Sequence, residues 1–200
     1  MGKVDQNKQQ KQSTLLQTAF ELFTTKGVVK TSISDIVSNA GVAKGTFYLY
    51  FKDKIDIKNK LIIHKSNKLF EHALDALDSS PQPTFSQTVI FVVDNIINQL
   101  SENPMLMQFI SKNLSWGVFK TAISCNIESD IQNNMYSIYN RIISMNGHHL
   151  KDPDIMMYMI LELVSSVSYS SILYDEPVPI ERLKPYLYES IRVIIKQFEI

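Results

Sequence analysis

The stretch from Thr31 to Lys54, TSISDIVSNAGVAKGTFYLYFKDK, constrains the fold most, because it reads as two short helices on a tight turn followed by the start of a third. Ser32 is followed three residues later by Asp35, the spacing at which a hydroxyl and a carboxylate cap each other's backbone at a helix N-terminus. Ile33, Ile36, Val37 and Ala40 then form an apolar stripe at helical spacing, and Gly41 stands where a left-handed residue ends a helix. The chain restarts as Ala43 to Phe51, with Phe47 and Phe51 one helical turn apart and able to pack inward together. Two compact helices joined by a Gly-containing turn predict a helix-turn-helix, whose second helix reads the major groove of DNA.

With Phe47 and Phe51 turned inward, a helical wheel puts Gly45, Thr46 and Leu49 on the outward arc, flanked by Lys44 and Tyr48 on one edge and Tyr50 on the other. Gly45 allows close backbone approach, and the hydroxyls of Thr46, Tyr48 and Tyr50 suit phosphate oxygens. Lys44 and Lys54 supply charge. Leu49, a large apolar side chain on an exposed face, fits a thymine methyl.

Thr31, Asp35, Ile36, Ala40, Gly41, Val42, Gly45, Thr46, Tyr48, Tyr50, Phe51 and Lys54 match, at fixed spacing, the pattern of the DNA-binding domain of bacterial TetR-family regulators, and the segment resembles that domain. The resemblance is specific over about residues 10–57 and weak beyond. It implies that Thr31, Thr46, Tyr48 and Lys54 contact the DNA backbone, while Lys44, Gly45 and Leu49 approach base edges. Two residues depart from the pattern. Ala43 stands where Ser or Thr often caps the second helix, a loss of about 1 kcal/mol. Ile55 replaces a common acid, whose role Asp53 and Asp56 are expected to take at the start of the next helix.

The formal net charge of zero averages two unlike halves. Residues 1–60 carry ten Lys against five acids, whereas residues 61–200 carry the same surplus of opposite sign. The basic half holds the helix-turn-helix, so its positive charge is placed to attract phosphate. The polar start MGKVDQNKQQKQ and the lack of an uninterrupted apolar run of membrane-spanning length predict neither a secretory signal nor a membrane span, hence a cytoplasmic protein with no membrane partner. The single Cys125 excludes an internal disulfide.

Helical periodicity continues elsewhere. Leu15, Leu16, Ala19, Phe20, Leu22 and Phe23 define a first helix stopped at Lys26-Gly27, and a long helix of about 25 residues runs from Asp53 to the Ser79-Ser80-Pro81 break. Further helices are expected over 85–100, 105–116, 119–145, 154–174 and 180–198, with Asp152 as a cap, Pro153 at the first helical position and Pro185 either kinking the last helix or marking its first turn. The expected fold is all-α with about nine helices. It comprises a helix-turn-helix domain over 1–54 and a helical effector-binding and dimerisation domain over 55–200.

In the second domain, Phe91, Met105, Met107, Phe109, Trp116, Phe119, Tyr136 and Tyr139 supply aromatic and thioether side chains suited to an adaptable pocket for a small apolar or aromatic effector, although such stripes are more often plain core. The nearly all-apolar stretch 155–174 and the final helix suggest a homodimer interface through Val164, Ser168, Ser171, Leu187, Ile191 and Ile194. His148-His149 with Asp152 and Asp154 do not converge as metal ligands. No nucleophile has a positioned base, so neither an enzyme nor a cofactor is expected. The leading reading is a ligand-responsive transcriptional regulator, most often a repressor in this family, that binds a palindromic operator in double-stranded DNA as a homodimer and is released by its effector. The alternative is a helical adaptor of the same fold acting through a partner protein.

Overall fold

The computed structural model describes residues 3–113, 140, 142–144 and 150–200. Among them eight helices are present: α1 Lys3–Thr25, α2 Ile33–Asn39, α3 Lys44–Tyr48, α4 Lys54–Ser79, α5 Phe85–Glu102, α6 Pro104–Asn113, α7 Pro153–Tyr174 and α8 Ile180–Phe198. The fold is all-α, and the one extended pairing among the described residues is a single bridge between Leu150 and Glu199. The helix expected over 119–145 falls mostly outside the described residues.

The chain divides into two compact units, Met1–His64 and Lys65–Ile200. In the first, Leu15, Ala19, Phe23, Ile36, Phe47, Phe51, Ile57 and Leu61 are buried, which gathers the start of α4 with α1–α3. α1 begins well before its apolar stripe, since the polar segment that opens the chain is helical from Lys3. It stops at Gly27, whose φ of 83° is left-handed and strained for any residue with a Cβ. Asp53 then caps α4: its Oδ1 accepts the amides of Ile55 at 2.7 Å and Asp56 at 2.8 Å. Asp56 accepts the amide of Lys52 at 2.8 Å, so the two acids do satisfy the helix start that Ile55 leaves unserved.

In the second unit α5 is capped by Thr84, whose Oγ1 accepts the amide of Gln87 at 3.2 Å. α8 packs on α5 and α7, and α6 packs on α5 and α7. Ala73, Leu77, Val89, Val92, Ile97, Met156, Ile160, Leu187, Ile191 and Ile195 form the core between them. Polar ties reinforce it: Gln99 donates to the carbonyl of Leu69 at 3.1 Å, and Lys184 joins Asn98 at 2.6 Å and Asp94 at 3.3 Å across α5 and α8. Two local expectations change. Asp152 precedes α7 in a left-handed conformation and its side chain makes no cap bond, leaving Pro153 as the start signal. Pro185 lies inside α8, which begins five residues earlier at Ile180. By length and composition alone α7 is apolar enough to cross a membrane, although Glu162 and the serines interrupt its apolar run. Its Met156, Ile160, Ser168 and Ser171 are buried within the helical unit.

Candidate functional site

The surface of the helix-turn-helix is built from its caps inward. The Ser32 hydroxyl accepts the amide of Asp35 at 3.0 Å, and Asp35 Oδ2 accepts the Ser32 amide at 2.8 Å, closing the reciprocal cap at the start of α2. Those bonds, the backbone one foremost and then the one from the Ser32 hydroxyl, hold the Asp35 carboxyl below its ordinary pKa. Gly41, at a φ of 66°, turns the chain out of α2. Ala43 precedes α3 in extended conformation and makes no side-chain cap.

α3 is shorter than its sequence pattern suggests, five residues from Lys44 to Tyr48, and Leu49 already forms its C-terminal cap. Phe47 and Phe51 are nonetheless buried together, with ring centroids 5.4 Å apart. Lys60 lies 5.3 Å from the Phe51 ring centre and donates to the Tyr50 carbonyl at 3.0 Å. The opposite face is open. Lys44 and Gly45 are exposed, Thr46 and Tyr50 are partly exposed, and Tyr48 and Leu49 expose 52% and 79% of their surface. Leu49 therefore takes little part in the packing of this unit.

Two expected DNA-contacting residues are placed differently. Thr31 is buried, and its hydroxyl donates to the carbonyls of Gly27 at 2.9 Å and Leu22 at 3.3 Å. Its side chain closes the turn between α1 and α2, so the phosphate contact implied by resemblance is not open to it. Lys54 is half-buried, and its ammonium donates to the carbonyls of Thr31 at 2.8 Å and Val29 at 3.2 Å. It braces the same loop to the start of α4 and retains one N–H for an outside partner.

The family model described as bacterial regulatory proteins, tetR family, matches residues 15–58, which span the helix-turn-helix and the helices that hold it. The segment 15–58 is thus a tetR-family domain. An uncharacterized HTH-type transcriptional regulator of Bacillus subtilis, YvdT, is 49% identical over 63 residues, 32% of this chain and 30% of that protein. The matched stretch covers 35% and 51% of two further curated relatives, so the chain spans at most about half the length of these proteins. Among solved structures, a TetR-family transcriptional regulator from Streptomyces coelicolor aligns with a TM-score of 0.67 at 12% identity, covering 94% of this chain and 99% of that one. FadR from Bacillus subtilis, solved in complex with stearoyl-CoA, aligns at 0.60 and 19% identity over 92% of this chain and 97% of that one. At such identities these likenesses establish the tetR-family fold over both units.

The second unit contains a cavity of about 120 Å³. Its walls come from α4 (Ser66, Leu69, Phe70), α5 (Val89, Val92, Ile96, Leu100), α6 (Met107, Ile110) and α7 (Met157, Ile160, Val164, Ser168), among other residues. Phe91, Met105 and Phe109 do not line it. Met105 is 58% exposed, whereas Met107, expected alongside it, does line the cavity; Phe109 is buried elsewhere in the unit, and Phe91 packs against the core. Trp116, Phe119, Tyr136 and Tyr139 lie outside the described residues, as do His148 and His149. The interface residues inferred from sequence are also inward-facing: Val164 and Ser168 line the cavity, Ser171, Leu187 and Ile191 are buried, and Ile194 packs against the core. The apolar residues that α7 and α8 leave exposed are Ile155, Tyr158, Met159, Tyr174, Tyr186 and Val193. The sequence signal that could have found the cavity was the pairing of isolated serines with aliphatic runs on α4 and α7.

Proposed function

We propose that this chain is a DNA-binding transcriptional repressor that docks α3 in the major groove of a palindromic operator as a homodimer and leaves it when a small effector enters the second unit. One observation carries the reading: a helix anchored by Phe47 presents Lys44, Gly45, Thr46, Tyr48 and Leu49 outward, on the segment that matches the tetR-family model. A surface of one cation, hydroxyls, an accessible glycine backbone and a single large apolar tip suits phosphate contact at its edges and base contact at its centre. Two such readers in a dimer would meet half-sites one helical turn apart, about 34–36 Å. The cavity supports the effector part of the reading, and FadR, solved in complex with stearoyl-CoA, whose acyl chain is apolar, is a fold relative that binds a molecule with a large apolar part.

Selection of bound duplexes from random DNA, followed by affinity measurement across a salt series, tests the reading. The selected sites should be palindromic and their affinity should fall steeply with salt. Leu49→Ala should relax preference at one A·T pair per half-site by about 1 kcal/mol, near the low end of a single base-pair contact, with the fold intact. Recovery of no enriched sequence, or unchanged preference in the Leu49 variant, would overturn the docking.

For the dimer we infer an interface through the exposed apolar residues of α7 and α8 in place of the buried set. α7 is apolar nearly all round, yet only 22% of its most apolar stretch is buried inside the chain, which leaves a face to cover. Sedimentation should show a dimer at micromolar concentration. A charge at Val193 on α8 (Val193→Glu) should weaken it at least tenfold, on the order of the 1.4 kcal/mol that desolvating one unpaired charge readily exceeds. A monomeric wild-type chain would remove the two-reader mechanism.

A further inference from the structure

We propose that the ligand of the second-unit cavity is electrically neutral, a small apolar molecule carrying one hydroxyl or carbonyl, and that Ser66 and Ser168 hold that group. The inference rests on the reading of this cavity as the effector site and specifies what chemistry the site accepts.

Two features of the cavity lead there. Ser66 on α4 and Ser168 on α7 line it while exposing only 2% and 1% of their surface, and neither hydroxyl oxygen has a hydrogen-bond partner among the described residues. In a helix a serine ordinarily turns its hydroxyl back to the carbonyl one turn earlier, as Ser111 does to Met107 at the rim of the same cavity. Ser66 and Ser168 do not, although an unpaired hydroxyl in an apolar interior costs free energy that alanine would avoid. Two unsatisfied hydroxyls from different helices in one cavity are therefore positioned for a guest with a polar atom. Each offers one O–H and lone pairs, so a ligand carbonyl could accept from them, and a ligand hydroxyl could both donate and accept.

The remaining lining fixes the charge. No Asp, Glu, Lys, Arg or His is among the described lining residues, which are aliphatic apart from Phe70, Met107, Met157 and serines. A carboxylate or ammonium drawn inside would lose its hydration with no counter-charge to replace it. The volume, about 120 Å³, is close to that of an apolar protein cavity of about 150 Å³ that admits benzene, so a molecule of six or seven heavy atoms suffices to probe it.

The test uses the full chain with three matched probes: 1-hexanol, hexanoate at neutral pH and hexane, read by ligand-observed NMR and by the shift in melting temperature. Hexanol should bind at least about tenfold tighter than hexanoate. Ser66→Ala and Ser168→Ala should each weaken hexanol roughly five- to tenfold, the scale of one hydrogen bond, and leave hexane within about twofold. The ligand-free variants should melt no lower than the wild type, because each loses an unpaired buried hydroxyl, and this guards against misreading a folding defect as lost binding. Hexanoate binding as well as hexanol, no hexanol binding at millimolar concentration, or variants that bind hexanol like the wild type would each overturn the proposal. Variants that melt lower yet bind hexanol normally would show that the hydroxyls hold water and would overturn it too. Operator affinity measured with the same probes separates the two readings: serine-dependent hexanol binding that leaves DNA affinity unchanged keeps this inference and removes hexanol-controlled release.

Discussion

Phe47→Ala is expected to destabilise the first helical unit by about 3–5 kcal/mol, the range for emptying a fully buried phenylalanine site. α3 has five residues, no side-chain cap at Ala43 and a length far below what holds an isolated helix together in water. Its position therefore depends on burial, and Phe47 is its one buried residue. The ring stacks at a tilt on Phe51 and meets Tyr48 edge-on, each with centroids 5.4 Å apart, so removing it loosens both neighbours. Hydrogen exchange of the amides over 33–51 is the appropriate readout, because it reports this unit alone. Their protection should collapse in Phe47→Ala and survive in Leu49→Ala, two positions further on the same short segment. Wild-type protection in the Phe47 variant would mean that something other than this ring sets the reading surface.

The first unit was legible because each of its boundaries has a local chemical cause. Ser32 and Asp35 close a cap, Gly41 takes a left-handed φ, and Phe47 and Phe51 fall one turn apart, all of which can be read from residues a few positions distant. Thr31 and the end of α3 were misplaced because loop and turn geometry, which helical periodicity does not carry, decides them. Thr31 sits beside a helix cap and looks available, but the carbonyls of Leu22 and Gly27 come round to meet its hydroxyl. α3 ends early because Leu49 and Tyr50 are already in the turn that brings Phe51 inward.

The second unit was less legible for a different reason. α7 is apolar or small almost throughout, so its sequence has no polar face to say which side is buried. Ser168 and Ser171 consequently look suited to close approach of a second chain, while the fold turns both inward, one to the cavity and the other toward the carbonyl of Glu176. On α6 the distinction is one of register. Met105 and Met107 are two positions apart, hence on nearly opposite sides of the helix, and composition alone gave no means of choosing between them. Aromatic residues drew attention to the effector site, but its described walls are mainly aliphatic, with one aromatic ring at Phe70, the thioethers of Met107 and Met157, and hydroxyls set among them.

Gly45→Val is expected to leave folding intact and to weaken operator binding by about 1–3 kcal/mol per half-site, the scale of a lost base-pair contact. Gly45 is exposed at the second position of α3, and a Cβ built there meets nothing within 4 Å. Its φ is not in the left-handed range, so the backbone conformation does not require glycine either. Within the protein glycine is a disadvantage, since any β-carbon would lower the entropy lost on forming the helix; Gly45→Ala should raise stability by about 0.5–1 kcal/mol. A residue that costs the fold and is not demanded by it is best explained by what approaches from outside. A duplex pressed against the start of α3 would use that bare backbone, and valine's two methyls would hold it away. The loss should be nearly independent of salt, because no charge is removed, which separates it from the loss of a phosphate contact. It should also be graded, smaller for Ala than for Val. If Gly45→Val folded at least as well as the wild type and bound the selected palindrome with undiminished affinity, α3 would have to meet DNA through another face, and the outward placement of Leu49 would lose its explanation as well.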